Sequence, residues 1–273
     1  MSNIMLTFNN KKLDQLVANF IHYMVDPKHD NGKHLIESDY KNFFHHIDSR
    51  NSKSNLNVVI SSHLITAEQF AKASEIIEQY HQTKTLFTWC TITNDNNQFE
   101  KKFFEKTDLQ HFETAIGMLI DLTTFNIANR ASDNEQFQEV TTETNVLNVV
   151  EIIKKAFDLS LIDLAKYQSI WELNQEQKIS YFTTLMKNQV PVSTGNLYFE
   201  SELAIIDDIA THPEHQKQGY AKEMLIHLLN KAKKANYNYA GLVATPDGLP
   251  LYKKLGFESQ QLYFNVYTMH YSK

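Results

Sequence analysis

Residues 216–221 combine residue types and a spacing that suit phosphate binding. The segment joins an apolar, strand-like run at 203–211 to a periodic helix that begins at Gly219. A glycine-bearing loop that opens a helix directs backbone N–H groups toward an anion, and the helix dipole adds attraction of roughly 0.3–1 kcal/mol. Gly219 has no Cβ atom to keep a phosphate away from the backbone. The structural alternative is that Gly219 only starts the helix. The predicted binding residues are Gln216, Lys217, Gln218, Gly219, Tyr220 and Ala221.

Asp207 and Asp208 form a carboxylate pair inside an otherwise apolar strand. Burying carboxylates is costly unless they are solvated or functional, so we consider both candidates for proton transfer. Strand alternation predicts that the two side chains point to opposite faces. A structural role, in capping or ion pairing, is the alternative for each. Glu202 is a third and weaker candidate.

The elements that must position these residues follow from hydrophobic periodicity and turn signals. Residues 219–234 form the clearest helix, and Gly195-Asn196 marks a bulge or bend in its own strand. In the C-terminal half of the chain we predict strands at 137–142, 179–186, 190–199, 203–211, 240–244 and 261–269, and helices at 146–157 and 247–255. In the N-terminal half we predict helices at 9–25, 66–80 and 98–105, and strands at 57–61, 85–93 and 115–122.

Two spaced motifs carry a resemblance to a known family. The first is Gln216-x-x-Gly219-x-Ala221, and the second, about thirty residues on, is Leu251-Tyr252-x-x-Leu255-Gly256-Phe257. Together with the order of elements, they make residues 137–273 similar to the catalytic domain of the GNAT superfamily of acyl-CoA-dependent N-acyltransferases. Three positions depart from the family pattern. Gln216 stands where Arg is commonest, Ala221 replaces a second Gly, and Thr245 stands where many members carry Asn.

The resemblance implies a fold, a reaction and site residues. The expected fold class is α/β (α+β), with a central mixed, mostly antiparallel sheet flanked by helices. The expected activity is transfer of an acetyl group from acetyl-CoA to a primary amine by direct attack. Tyr252 would then be the general acid and Asp207, ahead of Asp208, the base. The resemblance also places pantetheine along Ile209, Ala210 and Thr211, with Thr245 near the cofactor.

The polar segment 129–136 is the predicted boundary between an N-terminal accessory domain, 1–130, and the catalytic domain, 136–273. The accessory domain has two interpretations: a degenerate GNAT-like copy, or an unrelated α/β or helical domain. Its residues between 57 and 122 contain no Gln/Arg-x-x-Gly-x-Gly/Ala loop, so we expect no cofactor there.

The composition of the chain limits the classes of molecule that the protein is expected to bind. The chain has 273 residues, 42% of them hydrophobic, and a formal net charge of -6, which argues against general nucleic-acid binding. The single cysteine, Cys90, excludes an intramolecular disulfide, and no signal or membrane segment is evident, so we expect a cytoplasmic protein. The expected acceptor is a small-molecule amine or the amine of an amino acid or peptide, and a homodimer is compatible with the sequence. We expect no metal, because the adjacent His45 and His46 would point apart in regular structure and their neighbourhood is predicted to be a polar loop. A non-catalytic acyl-CoA sensor or scaffold is the alternative function.

Overall fold

The computed structural model describes residues 10–25, 35–39, 43–48, 57–64, 66–94, 99–128, 135–157, 167–168, 171–172, 180–199 and 202–269. The chain divides into two compact units. The first contains Met1–Gly117, Ala244–Pro250 and Ser259–Lys273, and the second contains Met118–Val243 and Leu251–Glu258. The predicted boundary segment falls largely on residues outside the description. The division into 1–130 and 136–273 therefore stays a prediction.

The second unit contains the segment with both motifs. Its sheet has the strand order β5-β10-β9-β8-β7-β6, in which β9–β8, β8–β7 and β7–β6 are antiparallel and β10–β9 is parallel. The strands are β5 (Leu109–Asp121, from Met118 onward), β6 (Glu135–Glu139), β7 (Ser180–Lys187), β8 (Val190–Tyr198), β9 (Ala204–Thr211) and β10 (Tyr239–Ala244). The helices are α4 (Glu143–Ala156), α5 (Tyr220–Lys234) and the short 3₁₀ helix Pro213–His215.

Helix α5 forms where the sequence predicts it because one of its faces is apolar. Met224, Leu225, Leu228, Leu229 and Ala232 are all buried, and α5 packs on β8 and β9. The spacing of these residues follows the helical period, so burial of this stripe fixes the helix against the sheet. The same period places Val146, Val149 and Ile153 of α4 in the core, and α4 also packs on β8 and β9.

The first unit has the strand order β1-β2-β3-β4-β11-β5. Its strands are β1 (Leu35–Asp39), β2 (Phe44–Asp48), β3 (Val58–Ser62), β4 (Thr88–Thr93), β11 (Glu258–Met269, from Ser259 onward) and β5 up to Gly117. Its helices are α1 (Lys11–Val25), α2 (Ala67–Gln82) and α3 (Phe99–Phe104). Helix α6 (Leu249–Leu255) is divided between the units at Pro250.

Local signals predict most elements of the first unit. Thr66 caps α2, and both hydrogen bonds of a capping box with Gln69 are present. Cys90 is buried, and the pKa of its thiol is raised to about 12, first by burial and then by the charges of Glu100 and Glu113. Strands β1 and β2 are absent from the sequence-based prediction. The prediction placed His45 and His46 in a polar loop, whereas they lie buried in β2.

A buried carboxylate of the first unit is paired with three neighbouring groups. The carboxylate of Glu100, which is 0% exposed, accepts hydrogen bonds from the Leu64 N–H at 3.1 Å and the Thr91 hydroxyl at 2.6 Å. Its Oε1 also lies 2.6 Å from Nδ1 of His63. Within the described part of the chain, no helix is both long and apolar enough to cross a membrane.

Candidate active site

The loop between β9 and α5 presents a row of backbone donors. Gly219 is the N-cap of α5 with φ of +94°, and no side chain caps this helix end. Among the described residues, no hydrogen bond is donated by the N–H groups of residues 217–222. The first hydrogen bond of α5 is donated by the Glu223 N–H to the Gly219 carbonyl oxygen. A Cβ atom added to Gly219 would meet nothing within 4 Å. The loop therefore offers several free donors beside open space, at the positive end of a helix dipole.

Two side chains hold the shape of this loop. Gln216 donates from Nε2 to the carbonyl oxygen of Thr211 at 3.3 Å, which ties the loop to the end of β9. Lys217 has φ of +60°, a left-handed conformation that turns the chain toward α5. Tyr220 is buried, and its hydroxyl contacts Nζ of Lys187 at the end of β7. These contacts fix the direction of the free N–H groups.

Strands β9 and β10 pair over only part of their lengths. Ala204 pairs with Ala240 and Ile205 with Gly241, and the parallel pairing ends there. Residues 206–211 of β9 therefore have no strand partner on the β10 side. The edge of β9 that leads toward the loop is thus available for hydrogen bonding by another extended group.

Strand β9 contains a bulge at Asp208. The register pairs Asn196 with Asp207 and Thr194 with Ala210, so two steps along β8 correspond to three along β9. Asp208 has φ of +54°, and the carboxylate of Asp207 accepts a hydrogen bond from the Asp208 N–H at 2.8 Å. Aspartate is among the residues that tolerate the left-handed region best. The register and this backbone conformation together identify Asp208 as the extra residue, in β9.

Gly195 faces this bulge. A Cβ atom there would lie 2.8 Å from Cδ1 of Ile209, 2.9 Å from Cδ1 of Leu228 and 3.0 Å from Cγ of Met224. Only glycine fits, because α5 and the side chain of Ile209 pack directly against the backbone of β8. The register shift between β8 and β9 falls at Gly195, between Thr194 and Asn196, where the sequence predicts a bulge or bend, and the extra residue lies in β9.

Asp207 and Asp208 reach one face of the sheet, contrary to the predicted alternation. Phe182, Asn196 and Asp207 are register partners across β7, β8 and β9, so their side chains share a face. Tyr167, whose ring contacts Phe182 at 6.5 Å between centroids, donates its hydroxyl hydrogen to Oδ1 of Asp208 at 3.1 Å. The bulge adds one residue to β9 and so interrupts the alternation of its side chains. Asp208 therefore points to the same face as Asp207.

An apolar cavity opens on the same face. Its lining residues are Val140, Val146, Val149, Tyr167, Trp171 and Phe182. Val146 and Val149 belong to α4, so this face is the one that α4 covers, whereas Gly195 and Ile209 face α5. The two carboxylates therefore belong to the α4 side of the sheet.

Tyr252 lies in α6 with only 9% of its surface exposed. Burial, and then the negative charge of Asp207, raise the pKa of its phenol above the ordinary value of ~10. Its ring packs on Phe257 at 5.9 Å between centroids. Among the described residues its hydroxyl has no hydrogen-bond partner. The phenol is therefore a protonated donor within the electrostatic range of a carboxylate.

Asn196 is a residue that the sequence did not single out for the site. It is 0% exposed, and neither its Oδ1 nor its Nδ2 has a hydrogen-bond partner within the described structure. An unpartnered buried polar group costs about 1–3 kcal/mol, so its presence needs a reason. The sequence signal was the Gly195-Asn196 pair, which indicates a bulge and gives no sign of a buried amide.

The remaining predicted residues occupy three places in the chain. Thr245 accepts hydrogen bonds from the N–H groups of Gly248 and Leu249 at its carbonyl oxygen, at 3.1 and 3.0 Å, so it holds the turn before α6. Ile209, Ala210 and Thr211 form the end of β9, as predicted. Glu202 is exposed ahead of β9.

Histidines form two groups in the described part of the chain. The ligand atoms of His212, Glu214 and His215 all lie within 4.8 Å of one another, next to the phosphate loop. Nδ1 of His212 already accepts a hydrogen bond from the Glu214 N–H at 3.3 Å, so only its Nε2 remains for a metal. In β2, His45 Nδ1 lies 3.0 Å from Ser38 Oγ, and His46 Nε2 contacts the Tyr80 hydroxyl.

Residues 147–257 match the family model described as the acetyltransferase (GNAT) family. No curated protein matches the sequence. The family match spans the bulged strand, the donor loop and Tyr252, which the sequence analysis had grouped together.

Solved structures show the same fold over most of the chain. A GCN5-related N-acetyltransferase from Kribbella flavida superposes with a TM-score of 0.64 at 10% identity, covering 88% of this chain and 91% of that one. A conserved protein of unknown function from Staphylococcus epidermidis gives 0.64 at 14% identity, covering 91% and 99%. A tandem GNAT protein from the clavulanic acid biosynthesis pathway gives 0.56 at 9%, covering 95% and 97%. These alignments include the N-terminal half, which favours the GNAT-like interpretation of that half over an unrelated domain.

Proposed function

The chain carries a GNAT acetyltransferase domain at residues 147–257, and on this premise we propose that it transfers an acetyl group from acetyl-CoA to a primary amine. The observation that carries the proposal is the row of unpaired N–H groups at residues 217–222, beside the open space above Gly219. We assign the reaction to residues 136–273.

In this proposal, the pyrophosphate of acetyl-CoA binds the free N–H groups of the loop. Such donors and the positive end of α5 act together on a doubly charged group. Lys217 and Lys222 are exposed and add positive charge at the rim. Gln216 contributes by orienting the loop through Thr211, since it lacks the permanent charge of an arginine.

The pantetheine arm pairs with the unpartnered edge of β9 at residues 206–211. Its amides then take the place that a neighbouring strand would fill. Because β10 leaves this edge after Ile205, an extended chain can lie there with its thioester directed toward the bulge at Asp208. Backbone contacts of this kind depend on strand geometry and little on side-chain identity.

The chemistry requires three proton transfers. The acceptor arrives as an ammonium ion, and Asp207 removes one proton so that the nitrogen can attack the thioester carbon. A C–N bond forms, the C–S bond breaks, and Tyr252 gives its phenolic proton to the departing thiolate. The nitrogen, which carries an extra proton after the attack, returns a proton to the Tyr252 phenolate, and Asp207 releases its proton to solvent. The products are the acetylated amine, coenzyme A and one proton. The raised pKa of Tyr252 keeps the proton in place until it is needed.

A non-catalytic acyl-CoA sensor is the competing function. It shares the phosphate loop but makes no use of Asp207 and Tyr252. Isothermal titration with acetyl-CoA, followed by measurement of thiol release with a panel of primary amines, separates the two. Binding together with amine-dependent thiol release supports the acetyltransferase. Binding without release from any amine supports the sensor.

The phosphate loop is tested with Gly219→Glu. A side chain at Gly219 enters open space, so the variant folds, at a cost of about 1–2 kcal/mol for the left-handed backbone. The carboxylate of the new side chain fills the anion site and repels the pyrophosphate. We therefore expect titration calorimetry to show that acetyl-CoA binding is lost.

The matched control is Ala235→Glu. It adds the same charge at an exposed residue at the opposite end of α5, about 22 Å away for a helix of this length. We expect its acetyl-CoA affinity to stay within about twofold of the wild type, a free-energy difference of only a few tenths of a kcal/mol. Unchanged affinity in Gly219→Glu would refute the loop assignment.

A further inference from the structure

We propose that Asn196 binds the acceptor amine and selects acceptors that carry an oxygen on the carbon next to the amine-bearing carbon. The inference rests on the proposed acetyl transfer and names the acceptor class for that same site. Amides of apolar amino acids are the compounds that fit it.

The first step is the burial of the Asn196 side chain. It has no exposure, and both polar atoms lack a partner among the described residues. Its neighbour in the register is Asp207, and the two side chains share the face that also carries Asp208. A polar group that is fully buried and unsatisfied beside two carboxylates is explained if a ligand completes its hydrogen bonds.

The chemistry of the three side chains defines the ligand. Asp207 and Asp208 supply negative charge, which favours an ammonium group. The Asn196 amide offers an acceptor, Oδ1, beside a donor, Nδ2, in one plane. Oδ1 accepts a hydrogen bond from the ammonium group, and Nδ2 donates one to an oxygen close to it. An α-amino amide or amino alcohol presents such a pair, whereas a simple alkylamine does not.

The cavity next to these residues defines the substituent. Phe182, the partner of Asn196 on β7, lines it together with Tyr167, which contacts Asp208. Its other walls are the valines of β6–α4 and the ring of Trp171. These walls are apolar but the cavity is small, about 10 Å³, so an acceptor that reaches it is expected to place an apolar group against its rim.

The test compares two acceptors in two proteins. Leucinamide and 3-methylbutylamine share the aliphatic chain and the amine, and only leucinamide has the neighbouring oxygen. We measure initial rates of thiol release from acetyl-CoA with each amine, for the wild type and for Asn196→Leu. The wild type is expected to prefer leucinamide in kcat/KM by about tenfold or more. In Asn196→Leu the preference falls to near one through a higher KM for leucinamide, while the Kd for acetyl-CoA is unchanged.

Thr183→Val is the matched control. Thr183 is also 0% exposed and lies one residue from Phe182, on the opposite face, where its hydroxyl donates to the Gln138 carbonyl oxygen at 3.2 Å. The change removes a buried polar group of the same sheet and leaves the acceptor preference intact. Asn196→Ala, with the same expected loss, replaces Asn196→Leu if that variant does not fold.

The outcomes separate the two hypotheses. A preference ratio that Asn196→Leu leaves intact, or a wild type that does not prefer leucinamide, overturns the role of Asn196 while acetyl transfer stands. A wild type that does not bind acetyl-CoA overturns acetyl transfer and this inference together.

Discussion

The Cδ1 atom of Ile209 lies 2.8 Å from the position that a Cβ atom on Gly195 would occupy. This close approach joins the bulge of β9 to the backbone of β8 and to α5. Since Asp207 and Asp208 lie at the same bulge, the packing at Gly195 helps to set the position of both carboxylates.

Gly195→Ala is therefore expected to destabilise the protein by about 1–3 kcal/mol, the usual cost of overpacking a core. Urea denaturation gives the free energy of unfolding. In the background of Ile209→Val, which removes Cδ1, the same substitution should cost less, because its shortest contact is gone. Equal costs in the two backgrounds would show that the contact with Ile209 does not limit the space.

Tyr252→Phe is expected to bind acetyl-CoA normally and to turn over more slowly by about 10²-fold or more, since it loses the proton donor. The folded protein keeps this phenolic proton more tightly than the unfolded chain, because its pKa is raised. The resulting stabilisation is complete below pH ~10 and is lost as the pH rises through the higher pKa of the folded state.

Alkaline unfolding checks the same residue independently of activity. Tyr267 and Cys90 also have raised pKa values, so Tyr252→Phe removes only one contribution to the loss of stability at high pH. We expect a shallower fall in the free energy of unfolding above pH ~10 than in the wild type. Identical pH profiles would contradict the raised pKa of the phenol.

Asp207→Asn and Asp208→Asn distinguish the two carboxylates. Asparagine tolerates the left-handed backbone as aspartate does, so Asp208→Asn keeps the bulge at φ of +54°. We expect Asp207→Asn to lower kcat by about 10²–10⁴-fold at pH 7 and Asp208→Asn by less than about tenfold. The reverse order, in steady-state rates with a fixed amine, would assign the base to Asp208.

Glu100→Ala tests a contact of the first unit that has no part in the proposed reaction. Its carboxylate is buried and holds the Leu64 N–H, the Thr91 hydroxyl and His63. Removing it leaves these partners unsatisfied, and we expect a loss of about 3–5 kcal/mol in the free energy of unfolding. The exposed Glu105, changed to Ala, should alter it by less than about 0.5 kcal/mol. A similar small loss at Glu100 would mean that water replaces its contacts.

The elements that the sequence predicts best are those with strong local signals. The apolar stripe of α5 and the capping box at Thr66 depend on residues three or four positions apart. Both can therefore be recognised in the sequence without knowing which elements pack against them. Strands β1 and β2 were missed, because segments such as FHHID in β2 lack a regular apolar alternation. Their burial depends on neighbouring strands.

The amino-acid sequence by itself determined the donor loop at Gly219 and the candidate pair of Asp207 and Tyr252. Loop conformation and residue chemistry are local properties, and the two spaced motifs carry them. Only the tertiary structure decided that β9 holds the bulge, that both aspartates share a face, and that Asn196 is buried without a partner. The physical reason is that register and burial arise from contacts between strands far apart in the chain, and one extra residue in a strand reverses every face beyond it.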